Sequence, residues 1–425
     1  MPQTRDTSKR NLYIVILILL TFFVISFLTN IINSLIPEIK KGFNLSLTLV
    51  ALLPFAFFIA YGVMSIPAGI LNEKYKEKRI MTAAFIVSFA ASLLLALFPN
   101  YLTAVISLFL IGCGMAMLQV VINPLLRTSG GEEHYAFNSV LAQLIFGAAS
   151  FISPLVYSYF ALNLGKADNG FLLQSLSSLV PESLSWISLY WLFAIISLIM
   201  VIVILLSKFP KVELDKDEKA GAFSVFTDLL KKPIVWLFFL AIFCYEGTEQ
   251  GVANWISQFL YEYHQYDPQT TGAKAVAYFW GLMTAGGLLG LLLLKIMDSR
   301  KVLILFTILA IGSLSLGLFS GDEVALWAFP AVGFFASVMY PVIFSLSLNS
   351  LKEHHGAFAG ILLTGITGAA VFPLIIGWLG DHFSLRTGLF VLYLTLGYVL
   401  SVGFWAKPLI NNKTIQSAKK QHKQG

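Results

Sequence analysis

GILNEKYKEKR, from Gly69 to Arg79, and GLLLLKIMDSR, from Gly290 to Arg300, stand 221 residues apart and share a glycine, a lysine and an arginine in one register. Working outward, the same offset superposes Phe98 on Phe319, Gly112 on Gly333, His134 on His355, Ala136-Phe137 on Ala357-Phe358 and Gly147-Ala148-Ala149 on Gly368-Ala369-Ala370. One ungapped shift thus serves about 80 positions over four apolar segments. Apolar helices match one another by chance, but charged residues and glycines would not keep a single register without duplication. The chain is a tandem repeat.

The composition says what is repeated. Hydrophobic residues make up 57% of 425 positions, about 242 residues, close to the ~240 that twelve membrane spans of ~20 residues require. Charged residues are 12%, half the usual share, and the mean hydropathy is +0.80. An ordinary soluble domain is excluded. Apolar runs predict spans at roughly 12–36, 48–71, 80–98, 101–126, 136–163, 186–207, 233–262, 273–297, 302–320, 324–350, 357–381 and 388–410. The run from Asn11 to Ile36 is too long for a signal-peptide core and reads as a retained first helix. The expected class is an all-α membrane protein with residues 1–207 and 233–425 as six-helix bundles and 208–232 as a charged linker. Each half holds an even number of spans, so the copies share orientation and are related by a pseudo-twofold axis along the membrane normal. A substrate is then expected between the halves.

Charge placement predicts the topology. With the N-terminus inside, cytoplasmic segments carry 21 of the 28 basic residues, and the opposite side carries five: Lys40, Lys41, Lys166, Lys274 and Arg386. This positive-inside bias puts both termini in the cytoplasm. The net charge of +6 is accounted for by topology, so no nucleic-acid partner is expected. Cys113 and Cys244 lie in apolar runs and suggest neither a disulfide nor a metal site. No phosphate-binding loop is present to supply ATP drive, and no cofactor is expected.

IINSLIPEIKKGFNLS from Ile31, SIPAGIL from Ser65, GCGMAMLQVVINP from Gly112 and MYPVIFSLSL from Met339 make the chain resemble the major facilitator superfamily, and within it the L-fucose permease family of sugar–cation symporters. GILNEKYKEKR is a degraded form of the superfamily signature that follows the second span. The resemblance covers all twelve spans and implies a bacterial cytoplasmic-membrane transporter rather than an enzyme. Two departures matter. Where the fucose permease has acids in spans 1 and 4, this chain has Ser34 and Gln119, and Gln143 in span 5 is followed three residues on by Phe146 rather than asparagine. Coupling is therefore looked for in the C-terminal half.

Of 22 carboxylates, only Glu246 and Glu249 lie well inside a span. Each costs about 2.5–3.5 kcal/mol at a helix centre, which makes an intramembrane acid a functional candidate. Three residues apart, they share a face with Gln250, Ala253 and Ser257, a polar stripe that should meet a wet cavity. Desolvation and a neighbouring like charge favour protonated acids, and a close pair titrates as a unit. Relatives with Y-V-G-x-E at this point match Glu249, which is the expected coupling residue, with Glu246 sharing the role. The coupling ion is expected to be a proton, with sodium, held by both acids and backbone oxygens, as the alternative. A second reading makes the pair structural, neutral and hydrogen-bonded to amides.

Amides form the second constellation: Asn30 and Asn33 in span 1, Gln119 and Asn123 in span 4, Gln143 in span 5, and Gln250 and Asn254 in span 7. An amide offers a donor and an acceptor, which suits a neutral polyol. The competing role is helix–helix glue, worth ~0.6 kcal/mol per bond in membranes. Tyr340, at the repeat position of Gln119, joins them as a cavity candidate. Lys74, Arg79, Lys295 and Arg300 read as inner-gate contacts with helix C-termini, and His134 and His355 as loop packing at repeat-equivalent positions. The expected protein is a monomeric secondary transporter in the bilayer, importing a monosaccharide by alternating access. An exporter of amphipathic compounds and an uncoupled sugar facilitator are the alternatives.

Overall fold

The computed structural model describes residues 11–130, 135–164, 166, 170–209, 223–351 and 354–409. Twelve long helical segments cross it: α1 (Leu12–Gly42), α2 (Leu47–Asn72), α3 (Glu77–Leu97), α4 (Tyr101–Leu126), α5 (Asn138–Asn163), α6 (Leu184–Leu206), α7 (Pro233–His264), α8 (Pro268–Ile296), α9 (Ser299–Phe319), α10 (Asp322–Leu348), α11 (Ala357–His382) and α12 (Leu385–Trp405). Among the described residues, eleven are apolar enough to span a membrane on length and composition. The twelfth, α7, is the longest uninterrupted one, but Glu246, Glu249, Gln250 and Asn254 break its apolar run. Most of the expected linker, 210–222, lies outside the described residues, and so does His134; short helices at Phe171–Leu179 and Phe223–Leu230 complete the helical elements.

Helix ends follow ordinary capping chemistry. Asn11 accepts from the Ile14 amide, Ser46 from Leu49 and Asp298 from Arg300, each satisfying a donor the helix itself leaves open. In α10 the helix breaks at Ser337-Val338, and Pro341 explains where. Proline lacks an amide hydrogen and its ring crowds the carbonyl four residues back, which here belongs to Ser337.

The duplication is visible in the packing. Within the first half α1 packs on α4 and α5, α2 on α4, and α3 on α4 and α6; within the second, α7 packs on α10 and α11, α8 on α10, and α9 on α10 and α12. These are the same contacts shifted by six helices. Gly112 and Gly333 show why the glycines kept register. A Cβ at Gly112 would lie 2.2 Å from the Phe57 carbonyl oxygen, and one at Gly333 2.5 Å from that of Phe279, so α4–α2 and α10–α8 both close backbone to side-chain-free backbone.

Three seams join the halves: α2 with α11, α5 with α8, and α1 with α7. The first two exchange under the pseudo-twofold and the third maps onto itself. Twelve crossings leave Asn11 and Leu409 on one face. At the other face, Asp381 at the end of α11 accepts from the backbone amides of Leu47 and Thr48 at 2.7 Å each, and from the Thr48 hydroxyl at 2.5 Å. The Asp381 carboxylate therefore caps the N-terminus of α2 in the opposite half, where the helix dipole favours negative charge. Glu38 of α1 and Gln269 of α8 face each other across the same side of the molecule.

Asp381→Ala should loosen this face by about 1 kcal/mol, roughly fivefold in the ratio of open to closed. Spin-label distances between α2 and α11 would show the longer population growing; an unchanged distribution would mean the cap does not hold the face shut.

Candidate functional site

The middle of α7 supplies the chemistry. Along Tyr245-Glu246-Gly247-Thr248-Glu249-Gln250, residues 245 and 249 stand one turn apart, and the Tyr245 hydroxyl donates to Glu249 Oε2. Gln250 Nε2 donates to the other oxygen, Oε1, at 3.3 Å. Hydrogen bonds to a charged group are worth about 1.5–3 kcal/mol each, so two of them match the ~2.5–3.5 kcal/mol cost of placing a carboxylate in a span. Glu246 has no such pair of donors among the described residues; it lies within electrostatic range of Tyr61 of α2, Tyr340 of α10 and Glu249 itself. Both acids are half-buried, whereas their neighbours Tyr245, Gly247, Thr248 and Gln250 are buried. The acid face of α7 thus looks into the space between the halves, with the tyrosines around it.

Gly247 and Gly368 make this face possible. A Cβ at Gly368 would fall 1.9 Å from the Phe243 carbonyl oxygen, so α11 lies against the back of α7 and turns the acids the other way. Thr248 and Thr395 lock α7 to α12 by a 2.6 Å bond on that back face.

The expected amides separate into two groups. Asn33 of α1 donates to Gln250 Oε1 at 3.0 Å, and Asn254 to the Gln250 carbonyl at 2.8 Å. Asn30 donates to Ser150 of α5 at 2.8 Å, and Ser150 and Ser26 share a 2.6 Å bond. These asparagines are 0–1% exposed and Gln250 is 3% exposed, which places them in the framework between helices. By contrast, Gln119 and Tyr340 are half-buried and Gln143 is exposed. Tyr340 also stands 5.8 Å from the Tyr245 ring, next to the acids. The Asn123 side chain lies outside the described residues, as does that of His355.

Lys74, Arg79 and Lys295 are exposed on the face that carries the termini; Lys74 sits 5.1 Å over the ring of its neighbour Tyr75. Arg300 is held within its own half by Asp298 at 3.2 Å and the Ala406 carbonyl at 3.5 Å. Among the described residues no ion pair joins these four to the opposite half. A cavity of about 430 Å³ lies elsewhere, along the α5–α8 seam between Phe151, Gly147, Gly281, Tyr278 and Trp327. Its apolar walls contain none of the acids or amides, so it is a lateral recess and not this site.

The sequence reading missed Tyr61, Tyr245, Ser150 and Asp381. Tyr245 had a signal, since it precedes Glu249 by one turn on the same face. Asp381 had one too: an acid at a helix C-terminus opposes the dipole and needs a compensating donor elsewhere.

A model of the Major Facilitator Superfamily matches residues 18–367. The chain belongs to the Major Facilitator Superfamily. It is 29% identical over 417 residues to the glucose/galactose transporter of Brucella abortus (strain 2308), covering 95% of this chain and 96% of that one. It is 27% identical over 397 residues to the L-fucose-proton symporter of Escherichia coli K12, covering 89% of each. Among solved structures it superposes on the Escherichia coli transporter FucP in its outward conformation with a TM-score of 0.67, 22% identity and coverage of 92% and 98%. It superposes on an inward-facing bacterial homologue of the human lysosomal transporter Spinster with a TM-score of 0.79, 15% identity and coverage of 94% and 98%. This superfamily member is accordingly a multi-pass membrane transporter, with two six-helix bundles in the shared fold, and its relatives are transporters and not enzymes.

An acid pair open to water between the bundles should react with a hydrophobic carbodiimide. Peptide mapping is expected to find the adduct on Glu249 or Glu246 and to lose it in the doubly Gln-substituted protein; labelling confined to loop acids would mean that the pair is sealed.

Proposed function

We propose that this transporter imports a monosaccharide by alternating access, driven by a proton that binds and leaves Glu249. The observation that carries the reading is a half-buried carboxylate pair inside α7, facing the seam of the two bundles and ringed by Tyr61, Tyr245 and Tyr340. An acid there can load and release a proton only where water reaches it, and alternating access brings water from one face at a time. The glucose/galactose and L-fucose-proton transporters among the relatives support a neutral hexose and proton symport.

Gln119, Gln143 and Tyr340 are the sugar-contacting residues in this reading, because they are less buried than the other described candidates and Tyr340 stands beside the acids, and Asn123 joins them on sequence grounds. Asn30, Asn33, Gln250 and Asn254 serve as framework. The bundles, 1–207 and 233–425, rock about the central site with 208–232 between them, and Lys74, Arg79, Lys295 and Arg300 close the face bearing the termini when the Asp381 face opens. The positive-inside bias supports a cytoplasmic location for both termini, in a bacterial inner membrane.

Proteoliposomes with an imposed pH gradient, alkaline inside, test this with labelled D-glucose, D-galactose and L-fucose. At least one should accumulate above equilibrium, and Glu249→Gln should cut gradient-driven accumulation by roughly tenfold or more while counterflow persists. Accumulation that ignores the proton gradient, follows sodium alone, or survives Glu249→Gln would overturn the assignment.

A further inference from the structure

Asn33 and Asn254 are repeat mates, 221 residues apart, and they meet on one side chain. Gln250 Oε1 accepts from Asn33 Nδ2 at 3.0 Å and from Asn254 Nδ2 at 3.5 Å, while Gln250 Nε2 donates to Glu249 Oε1. Both asparagines are fully buried, and the Oδ1 atom of each has no hydrogen-bond partner among the described residues. Two buried acceptors left idle at repeat-equivalent positions are costly and call for a second arrangement in which they are used.

The chemistry of Glu249 provides one. A charged carboxylate only accepts, so Gln250 must turn its NH2 toward Glu249 and its carbonyl toward the asparagines, which then act as donors. Tyr245 already donates to Oε2, which leaves Oε1, held by the longer bond from Gln250, as the oxygen that takes a proton when Gln250 turns. The hydroxyl so formed is a donor. Gln250 then turns its carbonyl to the acid and its NH2 to Asn33 and Asn254, whose idle Oδ1 atoms become the acceptors once their amides rotate, Asn254 exchanging its 2.8 Å bond to the Gln250 backbone carbonyl for this one. The chain has two polarities, one for each form of the acid, and its far end lies on α1 in the other bundle.

We infer that Gln250 is a positioning residue that transmits the protonation of Glu249 across the α1–α7 seam to Asn33, with Asn254 as the brace that holds Gln250 in line. The inference rests on Glu249 being the coupling acid. The titratable groups facing Glu249 are Glu246 and Tyr245 on α7 and Tyr340 on α10, and Glu246 in turn faces Tyr61 on α2.

The test compares sugar-driven proton uptake, counterflow and the pH profile of the counterflow KM in proteoliposomes, using whichever of D-glucose, D-galactose or L-fucose the wild-type protein accumulates. Gln250→Leu and Asn33→Leu should keep counterflow within about threefold, lose most of the protons moved per sugar, and flatten the pH profile; the double variant should be no worse than Gln250→Leu, since both cut one chain. Asn33→Ala, which also lacks the amide, should lose coupling in the same way and reads the same arm if leucine does not fit. Wild-type stoichiometry and pH profile in the leucine variants would overturn the inference, as would parallel loss of counterflow and coupling, which marks a purely structural bond. If Glu249→Gln abolishes coupling while these variants keep it, the relay alone falls; if the wild-type protein shows no proton-driven uptake, the coupling role of Glu249 falls and the relay with it.

Discussion

A carboxylate inside a membrane span is tolerated only where something repays its desolvation, and in this transporter the repayment at Glu249 comes from two donors on its own helix. Tyr245 binds one oxygen and Gln250 the other. Remove either and a carboxylate oxygen loses its donor at a cost of about 1–3 kcal/mol, comparable with typical allosteric coupling free energies. The close backbone packing of α11 against the back of α7 then matters, because it turns the acid face away from α11 and toward Tyr340. Fold and chemistry meet at that face.

The duplicated architecture gives this arrangement its symmetry. The α1–α7 seam maps onto itself under the pseudo-twofold, so residues at equivalent positions on the two helices can touch the same partner, as Asn33 and Asn254 do. The flanking seams, α2–α11 and α5–α8, exchange with one another. Asp381 breaks the symmetry. Its cap on α2 has no counterpart at the repeat position, where Phe160 stands.

Much of this was legible in the chain before any coordinates. Twelve spans, the repeat and the even helix count follow from apolar run lengths and from glycines whose register Gly112 and Gly333 explain as close backbone contacts. Glu246 and Glu249 stood out because an acid in an apolar run violates a strong physical preference. What stayed hidden was partnership. The pairing of Asn33 with Gln250 spans 217 residues and depends on which face of α1 turns toward α7, a property of packing that no local pattern encodes. For the same reason the amides looked alike in sequence, although Gln143 is exposed and Asn33 is sealed. The basic residues after α2 and α8 stand out by charge alone, whereas among the described residues a charged link between helix ends of the two bundles lies at the other face, where Asp381 caps α2.

The central claim is that Glu249 changes its proton occupancy when sugar binds. Infrared difference spectroscopy of the reconstituted protein, recorded as a transported sugar is added, reads the carbonyl stretch of a protonated carboxylic acid directly. A sugar-induced change in that band that is lost in Glu249→Gln is the predicted result. A band that is absent from the wild-type protein, or unaltered in Glu249→Gln, would contradict it.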